Sequence, residues 1–223
     1  MPHARVEELP METINVGLES SFNEVCKCFE DAIVGIIGLY GMGGVGKTTL
    51  LKKFNNDFLT TRSHDEFDVV IWVVVSQESD VVKVQEVIRN KLHIPDEDWL
   101  NKKMEERAIV IFNILKKKKY VLLLDDIWKR FDLLKLGIPN PGSQNGSRVI
   151  FITQSEEVCS NMGAHRSIKV ECLTPERALE LFQEKVGDET LNCHPSIPYL
   201  AKEVVAECRG TASCSYYCWE GYG

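Results

Sequence analysis

Gly41-Met-Gly-Gly-Val-Gly-Lys-Thr-Thr49 fits G-x-x-x-x-G-K-[ST], with Gly41, Gly46, Lys47 and Thr48 at the fixed places. Each fixed residue has a physical task. Gly41, Gly43, Gly44 and Gly46 let the backbone take left-handed angles and come close to a ligand. The amides of this loop, Met42, Val45 and Thr49 included, then converge on phosphate oxygens, and the next helix N-terminus adds its dipole. Lys47 supplies a point charge for β- and γ-phosphates, and the Thr48 hydroxyl can ligate Mg²⁺. The motif needs a strand before it and a helix after it. Ile33-Val-Gly-Ile-Ile-Gly-Leu39 is a short apolar run ending in the loop. Thr48 to Phe58 reads as a helix with Leu50, Leu51, Phe54 and Phe58 on one face. A glycine-rich turn without a ligand is the plain alternative.

Working outward, a second strand carries chemistry. Tyr120-Val-Leu-Leu-Leu-Asp-Asp126 leads four apolar residues into two carboxylates, about 75 residues after the loop. In an open α/β sheet, ligands sit just beyond the carboxyl ends of the strands. Asp125 is placed there to hold Mg²⁺, commonly through water. Asp126 is placed to orient or deprotonate an attacking water. These make Asp126 and Lys47 the candidate catalytic residues, and Thr48 and Asp125 the candidate metal ligands.

The rest of the chain alternates. A polar lead-in covers 1–15. An amphipathic helix opens at Val16-Gly-Leu and reaches about Asp31, with Phe22, Val25 and Phe29 on one face. Phe67–Ser76 reads as a strand buried on both faces, since it is β-branched and does not alternate. A helix is expected over Val81–Leu92, and a longer one over 97–117 with Leu100, Met104, Ala108, Ile111, Phe112 and Leu115 as core positions. Ser147–Thr153 and Ser167–Val170 are further strands, with a short helix over 155–162. Thr174-Pro-Glu-Arg is a helix start, a Thr cap followed by Pro. A last helix is expected over 197–208, with Leu200, Ala201, Val204 and Cys208 on one stripe. The fold class is therefore α/β: a P-loop NTPase with a five-stranded, mainly parallel sheet flanked by helices, and the start of a C-terminal helical subdomain.

Composition narrows the function. The chain has 223 residues and a net charge of −7, which argues against a nucleic-acid surface driven by bulk charge. Lys116–Lys119, the only basic run, suits a solvated helix end. The longest apolar run, Val69–Val75, is too short to span a bilayer. The N-terminus lacks the apolar core of a signal peptide. A cytoplasmic location follows as the expectation. Of the eight cysteines, none forms a C-x-x-C pair, and most are expected to be buried reduced thiols.

Taken together, Val16-Gly-Leu, the glycine loop, Phe67–Gln77, Leu122–Trp128, Gly146–Ser155 and Leu173–Phe182 resemble the NB-ARC domain of plant intracellular immune receptors of the nucleotide-binding, leucine-rich-repeat class. The resemblance runs from about Val16 to Gly210. Trp128 after the Asp pair is similar to the coiled-coil branch. The resemblance implies a switch that holds ADP at rest and exchanges it for ATP, with Mg²⁺ as cofactor. It implies that the backbone around Val16 and Gly17 contacts the base, and that the Ser147–Thr153 strand lies between the loop strand and the Asp-Asp strand. The partners it implies are nucleotide, the coiled-coil and leucine-rich-repeat domains of the full-length family, and self-association. The domain plan it implies is a lead-in over 1–15, a nucleotide-binding domain over 16–170 and a truncated helical unit over 171–210.

The chain departs from the family pattern twice. Similar proteins usually carry Thr-Thr-Arg where this chain has Ile152-Thr153-Gln154, and that Arg is thought to sense the γ-phosphate. Similar proteins read Cys-x-Gly-Leu-Pro-Leu-Ala where this chain has Cys208-Arg-Gly-Thr-Ala-Ser-Cys214. A shift of one base in codons for Thr-Ala-Ser-Cys can encode Leu-Pro-Leu-Ala, so 211–223 are expected to be an out-of-frame tail. Three rivals stay open: a P-loop phosphotransferase, a steadily turning ATPase, and a remnant without a productive nucleotide site.

Overall fold

The structure is a computed structural model that describes residues 7–11, 17–57, 66–75, 81–142, 145–194, 196–208 and 210–211. Its centre is a five-stranded sheet in the order β2-β3-β4-β1-β5. The strands are β1 (Ile36–Tyr40), β2 (Val69–Val74), β3 (Tyr120–Ile127), β4 (Arg148–Thr153) and β5 (Arg166–Lys169). Every pairing among them is parallel. β4 lies between β1 and β3, as the resemblance implied.

Helices cover both faces. α1 (Glu19–Glu30) and α2 (Lys47–Asp57) pack Val25, Phe29, Leu50, Leu51 and Phe54 against Ile37, Leu39, Leu123 and Ile150. On the other face lie α3 (Val81–Leu92), α4 (Met104–Leu115), α5 (Leu133–Leu136) and α6 (Glu156–Asn161). Their Val84, Ile88, Ile111, Leu115, Leu136 and Val158 meet Ile71, Val73, Leu122, Leu124 and Phe151. Successive strand residues thus feed opposite cores, as the pleat requires. α7 (Pro175–Val186), α8 (Asp188–Asn192) and α9 (Ile197–Glu207) share a third core of Ala178, Phe182, Val186, Leu191, Ala201 and Val205. Thr174 caps α7, its hydroxyl accepting from Arg177 N at 3.4 Å, and Pro175 occupies the first turn.

Three expectations are corrected. The single helix over 97–117 is a 3₁₀ turn at Asp96–Asp98 and then α4, with Asn101 between them at φ +68°. The turn drives Trp99 fully into the core and leaves Leu100 exposed, while Phe112 lies on the outer face of α4, away from the buried Ala108, Ile111 and Leu115. β2 is buried on both faces as expected, Val70 against one core and Ile71 and Val73 against the other, although it is an edge strand whose Trp72 is half-buried and whose last residue, Val74, is 58% exposed. On α9 Leu200 faces outward while Val205 is buried, and α8 was not expected. Of the six described cysteines only Cys159 and Cys208 are buried. The expected out-of-frame tail lies outside the described residues, save for Thr211. Among the described residues no helix is long and apolar enough to cross a membrane.

Candidate phosphate and metal site

The glycine loop joins β1 to α2 at the carboxyl edge of the sheet. Gly44 at φ +80° and Gly46 at φ +94° make the left-handed turns that bring Lys47 to the start of α2. Lys47 is 8% exposed. Its Nζ donates to Gly41 O at 2.8 Å and Met42 O at 2.6 Å, so the ammonium spans its own loop. Burial lowers its pKa, against the opposing pull of Asp126 and Asp125.

Thr48 Oγ1 donates to Asp125 Oδ1 at 3.0 Å, a bond spanning 77 residues of sequence. That bond unites the glycine loop with the end of β3. Asp125 is 6% exposed. Burial pushes its carboxyl above the usual value and the neighbouring Asp126 adds to this, while the Thr48 bond, Lys52 and Lys47 pull it down. Asp126 is set apart by a bulge. Leu124 pairs with Phe151 and Ile127 with Thr153, so Asp125 and Asp126 together span one residue of β4. Asp126 takes φ +68°, a conformation that costs a non-glycine residue about 1 kcal/mol or more and clusters at functional sites.

Most of the other expected residues belong to the glycine loop itself. Val45 is buried, Thr49 half-buried, and Met42 and Gly43 exposed at the mouth. A β-carbon on Gly43 would lie 3.8 Å from Gln154 Nε2, so Gln154 stands beside the phosphate loop. A β-carbon on Gly41 would lie 2.4 Å from Val170 O, so this position admits glycine alone. Gly17, at φ +79°, abuts the Leu173 side chain rather than the loop itself. Val16 lies outside the described residues. Two wall residues stood inside the motifs that carry the resemblance but were not singled out as site residues. Leu18 packs against Gly46, and Leu173 packs against Gly17. An ordinary leucine in an amphipathic stretch gives nothing to distinguish it from core.

The donor set fits a hard divalent cation. A hydroxyl and a carboxylate at one point, with phosphate oxygens and water completing the shell, is how Mg²⁺ is commonly held. Among the described residues no three His, Cys, Asp or Glu side chains cluster as a self-sufficient metal site.

Comparison with known proteins gives the family. The family model "NB-ARC domain" matches residues 18–192. The chain is 46% identical over 209 residues to the disease resistance protein RFL1 of Arabidopsis thaliana, covering 94% of this chain and 23% of that protein. It is equally similar, at 46% over 209 residues, to the disease resistance protein RPS5 of the same plant, again covering 94% and 23%. The chain therefore spans about a quarter of the length of these curated relatives. Among solved structures, the ADP form of the ORC2 protein of Aeropyrum pernix superposes with a TM-score of 0.63 at 11% identity, covering 94% of this chain and 63% of that one. A signal transduction ATPase with numerous domains from Pyrococcus horikoshii, bearing a tetratricopeptide repeat sensor, gives 0.56 at 19% identity over 93% and 30%. At such identities these two speak for the fold alone.

Proposed function

We propose, because this chain belongs to the NB-ARC domain family, that it is the ADP/ATP-binding switch domain of a plant immune receptor acting in the cytoplasm. The Thr48–Asp125 hydrogen bond carries this proposal. It supports a site in which Lys47 and the loop amides bind the β- and γ-phosphates, and Thr48 and Asp125 hold Mg²⁺. The cation, when bound, neutralises phosphate charge. Lys47 would trade the carbonyls of Gly41 and Met42 for phosphate oxygens. Val16 and Gly17 would contact the base. Asp126, turned out of the ladder by its bulge, would orient water and give at most slow hydrolysis. The outer partners of the switch, a coiled coil and leucine-rich repeats, and its self-association, are proposed from the full-length relatives.

The test is the bound nucleotide. The chain is purified with Mg²⁺, denatured, and the released nucleotide identified beside a Lys47→Arg control. About one ADP per chain, lost in the control, is the expected result. A folded protein that releases no nucleotide in either form would overturn the proposal and favour a remnant without a working site. Multiple-turnover hydrolysis would favour a steadily turning ATPase.

A further inference from the structure

Residues 7–10 do not behave as a featureless lead-in. Asn56, at the last turn of α2, reads the backbone of Leu9 twice: its Oδ1 accepts from Leu9 N at 2.9 Å and its Nδ2 donates to Leu9 O at 2.8 Å. Asn55, 2% exposed, donates from Nδ2 to Glu7 O at 2.9 Å and to Asn56 Oδ1 at 3.0 Å. Lys52 donates to Pro10 O at 3.2 Å. From α3, Lys91 Nζ pairs with Glu7 Oε1 at 2.7 Å, and its side chain is 14% exposed. These contacts engage residues 7 and 9 on the same side, the spacing of an extended strand.

The segment lies over a place the helices leave open. Val70 and Trp72 of edge strand β2, Val87, Asn90 and Lys91 of α3, and Asn55 enclose a cleft of about 300 Å³ that Glu7 and Leu9 close on one side. Side chains that pair with both the N–H and the C=O of one residue act as a strand edge does, so affinity comes from backbone and selectivity from the flanking pockets. Here the flanking features are a cation for an acid, a cleft with Val70, Trp72 and Val87 in its lining beside the leucine, and no donor demanded of a proline.

We propose that the α2–β2–α3 cleft is the flank of a recognition slot for an extended acidic-x-leucine-proline segment, held in cis by Glu7–Pro10 along its rim. It ties the polypeptide entering the domain to the far end of the helix that begins with Lys47 and Thr48. Asn56 lies at the other end of α2 from Lys47 and Thr48, so its variant leaves that site's side chains in place.

Amide hydrogen exchange on the full chain tests it. Removing Asn56's side chain in Asn56→Ala should speed exchange at Leu9 N roughly tenfold, the scale of losing one protecting hydrogen bond. Equal exchange at Leu9 in wild type and variant would overturn the proposal. A second measurement separates recognition from local packing. A fluorescent peptide of residues 6–11 should bind saturably to Leu9→Asp, whose own segment is displaced, and not to Leu9→Asp combined with Asn56→Ala. Equal binding to both, or to neither, would overturn it. Nucleotide retention, measured in parallel, should be unchanged in Asn56→Ala, so failure of the slot and failure of the nucleotide proposal are told apart.

Discussion

Asp125 has a desolvated carboxylate that one hydroxyl and two nearby lysines only partly compensate. Its folded pKa is raised, so its contribution favours folding at low pH and is lost as pH rises through the raised value. At neutral pH the charge is a cost that a bound cation would relieve. Asp125→Asn should therefore raise the Tm of nucleotide-free protein by a few degrees at pH 7. The gain should vanish below the ordinary Asp range, where both side chains are neutral. The same variant should lose Mg²⁺-dependent nucleotide binding, and thermal scans from pH 3.5 to 7.5 with and without Mg-ADP would read both effects. A second residue-scale prediction concerns Gln154. It stands beside Gly43 but is neutral, so it cannot make the charge-assisted bidentate contact that an Arg makes with phosphate. Gln154→Arg should raise the ATP-to-ADP affinity ratio about tenfold, the scale of one charge-assisted bond, in nucleotide titrations; an unchanged ratio would remove Gln154 from discrimination. The phosphate side of the site was legible because sequence spacing alone fixes Gly41 to Thr49, and because Asp125 follows the apolar run of β3. The Asn56–Leu9 contact was not legible, since it joins residues 47 apart through a side chain that any helix end could carry.

Among the elements, α4 shows how a true periodicity misleads. Leu100 and Met104 keep helical spacing with Ala108 and Ile111, yet the chain turns at Asn101. What decides is Trp99, which is fully buried and donates from Nε1 to Glu86 Oε1 at 2.6 Å, with the guanidinium groups of Arg89 and Arg107 at 5.6 and 5.0 Å from the ring. Burying that indole outweighs one more helical turn. Trp99→Ala should cost about 3–5 kcal/mol, seen as a lowered midpoint in urea unfolding, and Leu100→Ala should cost well under 1 kcal/mol since its side chain faces water. Comparable losses would place the anchor elsewhere. α3 and α7 were legible because their apolar stripes and, for α7, the Thr174-Pro175 start all agree. β2 was legible as a strand but not as an edge, because strand order is a property of the sheet and leaves no mark on the strand's own residues.

Across the whole molecule, two cores flank the sheet and a third holds α7–α9 together. Leu173 sits at their junction. Its side chain meets Gly17, and its backbone N donates to Gly210 O at 2.8 Å, so the two ends of the helical unit close on each other next to the start of the nucleotide-binding part. Gly210 takes φ +74°, and a β-carbon there would lie 2.2 Å from Leu173 O. Backbone cannot yield to that as a side chain can. Gly210→Ala should therefore open the closure, at a cost of at least about 1–2 kcal/mol for the left-handed angle alone. Local opening draws on the weakest cooperative unit first. The α7–α9 core is small beside the two that sandwich the sheet, so it should be the part that frays. Limited proteolysis should cut the variant in the connection before Pro175 faster than wild type, leaving a resistant fragment that contains the sheet and still retains nucleotide. Cleavage throughout the sheet at the same accelerated rate would mean instead that the three cores unfold as one unit, and that the Leu173 junction holds the whole molecule rather than its helical end.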